Sequence, residues 1–194
     1  MFNRINLVQC KIALGFVLTA IVFYVFKDNA IEAQNISHYG MTVWLHVLAG
    51  IVWIGLLYYF NFVQVPAMGA ALADSNGPGP AAIGKYVAPR ALLWFRMAAA
   101  TTLILGLVLL GVQGAIGKAF MLSTGYQVIG IGAWMGTIMA FNVWFIIWPN
   151  QQKILGMKEA TAEEIATAKK NAALASSINV ILSVPMLLTM IAWH

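Results

Sequence analysis

The segment that decides the fold is WLHVLAGIVWIG, residues 44–55, an apolar run that contains a single histidine, His46. No charged residue interrupts the wider apolar stretch from Met41 to Val63. A stretch of this length is enough for an α-helix to cross about 30 Å of hydrocarbon. Because a histidine is costly in hydrocarbon, we expect His46 either to be satisfied by a hydrogen bond or to act as a ligand.

The composition of the whole chain indicates a membrane protein. Of its 194 residues, 61% are hydrophobic and 9% are charged, and the mean hydropathy is +0.83. Soluble domains carry about 25% charged residues. The formal net charge is +5, but the basic residues are scattered and form no patch, so we expect no nucleic-acid partner. Cys10 is the single cysteine, which excludes an internal disulfide and a C-x-x-C-H haem attachment.

Five stretches are long and apolar enough to span a bilayer. We predict an all-α integral membrane protein, a bundle of five transmembrane helices forming one domain over residues 1–194. The predicted spans are Leu7–Phe26, Met41–Val63, Ala91–Gln113, Tyr126–Trp148 and Ala172–Trp193. In the connection between the last two, Thr161 and Glu164 have the spacing of a capping box, which predicts a short surface helix.

The lysines and arginines predict the orientation of the bundle. With five spans, the N-terminus, the second loop and the fourth loop lie on one side. That side carries Arg4, Lys11, Lys85, Arg90, Lys153, Lys158, Lys169 and Lys170, whereas the other carries Lys27 and Lys118. By the positive-inside rule the N-terminus is cytoplasmic and the C-terminus is external.

His46 is the first candidate for a functional residue. It lies roughly 8 Å inside the second predicted span, in the same leaflet as His194. Gly50 and Trp53 follow one and two helical turns later on the same face, where a glycine leaves room for a flat macrocycle and an indole forms a wall. The pattern allows three alternatives: His46 and His194 as axial ligands of a haem, a small metal site such as copper, or a structural histidine bonded to the protein.

A second polar layer is predicted towards the cytoplasmic side. Arg96 lies inside the third span, and an intramembrane arginine normally faces the bundle interior with partners. Asn61, Asn142 and Asn179 lie in the same half of their spans and are the expected acceptors. The layer is either interhelical packing and snorkelling or a site for a substrate or quinone headgroup. No carboxylate lies inside any span, which argues against an intramembrane proton relay.

Four segments together resemble a known family. They are HVLAGIVWIGLLYYFNFVQVP (46–66), LLWFRMAAATTLILG (92–106), GTIMAFNVWFIIWPNQQKIL (136–155) and NVILSVPMLLTMIAWH (179–194). The chain is similar in them to the membrane domain of the bacterial membrane-bound urate oxidase (urate hydroxylase) family. The H-x6-W-x-G element also resembles copper-resistance D-type membrane proteins and the bacterial membrane protoporphyrinogen oxidase, which binds haem b.

The resemblance implies a multi-pass protein of the bacterial cytoplasmic (inner) membrane with a redox role. It implies that His46 is a haem-associated histidine and that haem b is the cofactor. Family members continue into a cytochrome c domain with a C-x-x-C-H motif, whereas this sequence ends at His194 without one. We therefore expect a short form that is not catalytic alone and that exchanges electrons with a separate cytochrome or a membrane complex. The alternatives are a cofactor-free accessory or structural subunit of a respiratory, photosynthetic or oxygenase complex, and a urate-oxidising enzyme.

Overall fold

The computed structural model describes residues 2–26 and 38–193, and the regular structure in these residues is helical. There are five long helices and one short helix in the described part. They are α1 (Phe2–Phe26), α2 (His38–Ala73), α3 (Ile83–Val112), α4 (Ile116–Phe120), α5 (Gln127–Ile154) and α6 (Ala162–Ile191). The all-α prediction is confirmed.

Four of these helices, α2, α3, α5 and α6, are long and apolar enough to cross a membrane. In α1 the apolar part within the described side chains, Cys10–Val22, is shorter than a membrane span. The predicted class, a helical membrane protein, is thus supported by four helices. The fifth span and the orientation of the termini stay predictions.

The chain divides into two compact units, residues 1–44 and 45–194. In the first unit, the ring centroids of Phe16 and Trp44 lie 5.5 Å apart in an edge-to-face contact. The second unit contains most of α2 and all of α3 to α6. The candidate site lies entirely in this second unit.

Three helices continue through prolines by means of a π-helical segment. The segments Phe60–Gln64, Ile83–Val87 and Asn142–Ile147 end two residues before Pro66, Pro89 and Pro149, respectively. A proline has no N–H, and its ring crowds the carbonyl four residues earlier. The residue before each proline instead donates its N–H to the carbonyl five residues earlier, which widens the turn and relieves the clash.

This continuity extends the helices beyond the predicted spans. The span Met41–Val63 lies within the longer α2, and α5 continues six residues past Trp148 to Ile154. The capping box of Thr161 and Glu164 is confirmed. The separate surface helix that it was expected to begin is wrong, because α6 runs unbroken from Ala162 to Ile191.

The core of the second unit lies between α2, α3, α5 and α6. Its largest fully buried apolar side chains come from three of these helices: Trp53, Leu57, Phe95, Met139 and Val143. The fourth helix, α6, contributes the small or flexible Ala175 and Met186. Gly130 of α5 packs directly on the carbonyl of Ala119, which places α4 against the start of α5. This packing holds the polar side chains described next.

Candidate functional site

His46 is held between α2 and α3. Its Nδ1 lies 2.9 Å from the backbone oxygen of Thr102. Its ring faces Gly106, one turn further along α3, where a Cβ atom would lie 3.0 Å from the imidazole Cε1. Gly106 therefore provides the space for the ring. Gly106 was not among the predicted site residues, although two small residues one turn apart, Thr102 and Gly106, indicate close helix packing.

The hydrogen bond also selects the tautomer of His46. A carbonyl oxygen only accepts, so Nδ1 carries the hydrogen and donates it. In the neutral imidazole Nε2 then keeps its lone pair. Among the side chains that the structure describes, none is bonded to Nε2. The arrangement is the one that proteins use to orient a metal-ligating histidine, and it equally satisfies a structural one.

The residues predicted to wall a haem beside His46 are already packed. A Cβ atom at Gly50 would lie 3.8 Å from the Thr102 methyl group, so that methyl occupies the space above the glycine. Trp53 is 1% exposed and belongs to the core. Thr102 and the core thus already contact the two residues that were expected to wall a haem, and a haem at His46 stays a prediction. By its donor chemistry His46 fits a haem iron, whereas His194 lies outside the described residues.

The asparagines of the second polar layer bond to each other and to neighbouring helices. Asn142 donates through Nδ2 to Oδ1 of Asn179 at 2.9 Å, and Asn179 donates to the carbonyl of Met139 at 3.0 Å. Asn61 donates to the carbonyl of Leu57 and to the hydroxyl of Ser176. The buried pair of Asn142 and Asn179 joins α5 to α6, and the half-buried Asn61 joins α2 to α6.

A hydroxyl pair extends this contact between α2 and α6. The hydroxyl groups of Tyr58 and Ser183 lie 2.8 Å apart, and Ser183 also donates to the carbonyl of Val180 at 2.7 Å. Ser183 is fully buried. These amide and hydroxyl groups therefore bond to one another and to backbone carbonyls.

Arg96 is not a partner of the asparagines, so that expectation is wrong. Its guanidinium lies over the indole of Trp148, with Cζ 3.3 Å from the ring centroid, and the ring of Trp144 is 5.9 Å away. Trp144 also donates through Nε1 to the backbone oxygen of Arg96 at 3.2 Å. Nε and Nη1 of Arg96 are buried without a hydrogen-bond partner.

His46 and Arg96 belong to separate sites. His46 contacts α3 at Thr102 and Gly106, and Thr102 lies about 9 Å along the helix axis from Arg96 at 1.5 Å per residue. In the residues that the structure describes, no group of three or more His, Cys, Asp or Glu side chains is placed to hold a metal ion.

The four long apolar helices and their buried polar contacts define a helical, multi-pass membrane protein. Residues 112–194 match the family model described as urate oxidase N-terminal. The resemblance to the membrane-bound urate oxidase family is therefore confirmed over α4, α5 and α6. His46 and Arg96 lie outside the matched region. No curated protein and no solved structure matches the chain.

Proposed function

We propose that the chain is a redox-associated membrane protein of the urate oxidase N-terminal type, an electron-transfer subunit with a b-type haem on His46. The observation that carries this proposal is the hydrogen bond from Nδ1 of His46 to the Thr102 oxygen. A backbone acceptor at Nδ1 orients an imidazole and leaves Nε2 for an axial bond to iron. A bound haem supplies a one-electron carrier, and the protein supplies the ligand and the apolar surroundings that exclude water.

The polar side chains of the second unit favour electron transfer over oxidation of a purine by this chain. A purine needs directional polar groups, and the asparagines that lie deepest in the bundle are already bonded to other protein groups. The helices α2, α3 and α5 contain no Asp or Glu that would act as an acid or a base. The electrons would pass to a separate cytochrome or to a neighbouring membrane complex in the bacterial cytoplasmic membrane.

The packing of Gly50 and Trp53 favours a second candidate function. In this alternative the chain is a cofactor-free accessory subunit, and His46 only joins α2 to α3 through Thr102. The apolar outer surfaces of the long helices would then face lipid and a partner membrane protein. The two functions differ in whether Nε2 of His46 binds iron.

The haem content of the purified protein separates these functions. The protein is produced with haem available, and its b-haem is quantified as the pyridine complex in the wild type, His46→Ala and Val47→Ala. Val47 is the neighbouring residue of the same helix and is 50% exposed, so it serves as the matched control. We expect haem in the wild type and in Val47→Ala, and a loss of about tenfold or more in His46→Ala.

A folded wild-type protein without haem contradicts the electron-transfer function. The accessory function then predicts that a second membrane protein co-purifies with the chain in mild detergent. A chain that is colourless and also migrates alone contradicts both functions.

A further inference from the structure

Arg96 is a permanently charged side chain at one end of an apolar helix segment. The rest of α3, from Met97 to Val112, has no charged residue. This run is about 24 Å long at 1.5 Å per residue, which covers most of a hydrocarbon layer of about 30 Å. Arg96 therefore lies near one edge of the hydrocarbon, where a guanidinium reaches the level of the lipid phosphates.

Two indole rings hold the guanidinium in place. The Trp148 ring lies under its face, with Cζ 3.3 Å from the centroid, and Trp144 flanks it at 5.9 Å. The hydrogen bond from Trp144 Nε1 to the Arg96 carbonyl fixes the ring beside the arginine. Trp144 lies in the π-helical segment Asn142–Ile147 and Trp148 follows it directly, so the turn that accommodates Pro149 also places both indoles.

The guanidinium has no counter-ion in the described part of the chain. Its Nε and Nη1 are buried and unpartnered. The ion pair that the structure shows, 3.3 Å long, joins Lys153 to Glu164 and does not involve Arg96. An arginine presents five N–H donors and no acceptor, so these two donors lack a hydrogen-bond acceptor and the charge lacks a counter-ion in the described residues.

We propose that Arg96, with Trp144 and Trp148 as its walls, binds the phosphate of an anionic phospholipid headgroup. A guanidinium forms charge-assisted hydrogen bonds with phosphate oxygens, and indoles concentrate at the membrane interface. Arg90 and Lys85, both exposed and nearer the start of α3, add positive charge at the same end of the helix. This charge favours anionic over zwitterionic lipids. The site is separate from His46, so the inference does not depend on the proposed function.

Lipid retention measures this binding directly. The full chain is delipidated in detergent and incubated with equal amounts of phosphatidylglycerol and phosphatidylcholine, and the lipid that remains bound is quantified by native mass spectrometry. We expect the wild type to retain phosphatidylglycerol about fivefold over phosphatidylcholine. Arg96→Gln should lose this preference, and Trp148→Leu should weaken it.

Lys118→Gln is the matched control, because Lys118 is exposed and lies in α4, beyond the other end of α3, so it removes one positive charge away from Arg96. We expect this variant to keep most of the preference. Inorganic phosphate at millimolar concentration tests the other source of the same chemistry, and it should neither displace the lipid nor raise the unfolding temperature as phosphatidylglycerol does.

Three results would overturn the proposal. The first is equal retention of the two lipids by the wild type, which is informative even if Arg96→Gln does not fold. The second is an unchanged preference in a folded Arg96→Gln. The third is displacement of the lipid by inorganic phosphate, which would assign Arg96 to a free anion instead.

Discussion

The imidazole of His46 is held by the backbone of the neighbouring helix, with Nδ1 2.9 Å from the oxygen of Thr102. The bond joins α2 to α3 and determines which ring nitrogen keeps its lone pair. It also relies on Gly106, where an added Cβ atom would crowd the imidazole at 3.0 Å from Cε1. The stability of this contact and the availability of Nε2 are therefore linked.

Gly106→Ala should disturb His46 directly. The added Cβ would lie 3.0 Å from Cε1 and 3.5 Å from Nδ1 of the imidazole, so the ring must shift and the hydrogen bond to Thr102 is strained. We expect a loss of about 1–3 kcal/mol of stability, the usual cost of overpacking. Reversible unfolding in mixed detergent measures it.

Gly50→Ala is the control for this substitution. Its Cβ would meet the Thr102 methyl group at 3.8 Å, an ordinary van der Waals distance. The variant should therefore be nearly as stable as the wild type. A Gly50→Ala protein that is less stable than Gly106→Ala would contradict the packing described for His46.

Asn179→Ala should destabilise the bundle by about 1–3 kcal/mol, because it leaves the buried Nδ2 of Asn142 without its acceptor and removes the side-chain donor to the carbonyl of Met139. The same unfolding measurement applies, with the exposed Asn171→Ala of the same helix as the control. A double-mutant cycle with Asn142→Ala should give a coupling of about 0.6 kcal/mol, typical of interhelical hydrogen bonds in membranes. Additive effects of the two substitutions would show that the amides do not interact.

Gly130→Ala should be the most damaging glycine substitution in α5. Its Cβ would collide with the carbonyl oxygen of Ala119, a backbone atom that cannot rotate away. Gly136, in the same helix, has nothing within 4 Å of an added Cβ, so Gly136→Ala should be tolerated. We expect a lower yield of monodisperse protein and a lower unfolding temperature for Gly130→Ala alone. Equal behaviour of the two variants would argue against the contact between α4 and α5.

Thr161→Ala should loosen the start of α6. The Thr161 hydroxyl accepts from the Glu164 N–H at 3.2 Å, and the Glu164 carboxylate accepts from the Thr161 N–H at 2.8 Å. Loss of the cap should cost about 1 kcal/mol locally. Hydrogen exchange of the amides in the first turn of α6 should become faster, whereas Thr167→Ala, in the same helix, should leave it unchanged. Exchange that is equally slow in both variants would show that the cap does not hold the helix end.

The sequence predicts the helical membrane fold, and it predicts that His46 needs a hydrogen bond or a ligand. Both predictions depend only on local composition. A charge-free stretch of more than about 20 residues predicts a membrane helix wherever it occurs. The partners of His46 could not be predicted in the same way. Thr102 and Gly106 become its neighbours only once α2 and α3 pack side by side.

The prolines show why the helix ends were harder to predict. The rule that a proline ends a helix predicts helix ends near Pro66 and Pro149. It does not account for a π-helical turn, in which the residue before the proline bonds to the carbonyl five residues earlier and the helix continues. Arg96 shows the same limitation for its partners. Three asparagines at a similar depth were the expected acceptors, but they bond to other protein groups. The guanidinium instead packs against two indoles that lie one turn apart.

The reduced-minus-oxidised visible spectrum of the purified wild-type protein, prepared with haem available, tests the role of His46 most directly. We expect a Soret band that shifts on reduction, together with a sharpened α band of b-type haem, and the loss of both in a folded His46→Ala. A folded wild-type protein that shows no such difference spectrum would contradict the assignment of Nε2 of His46 as an iron ligand.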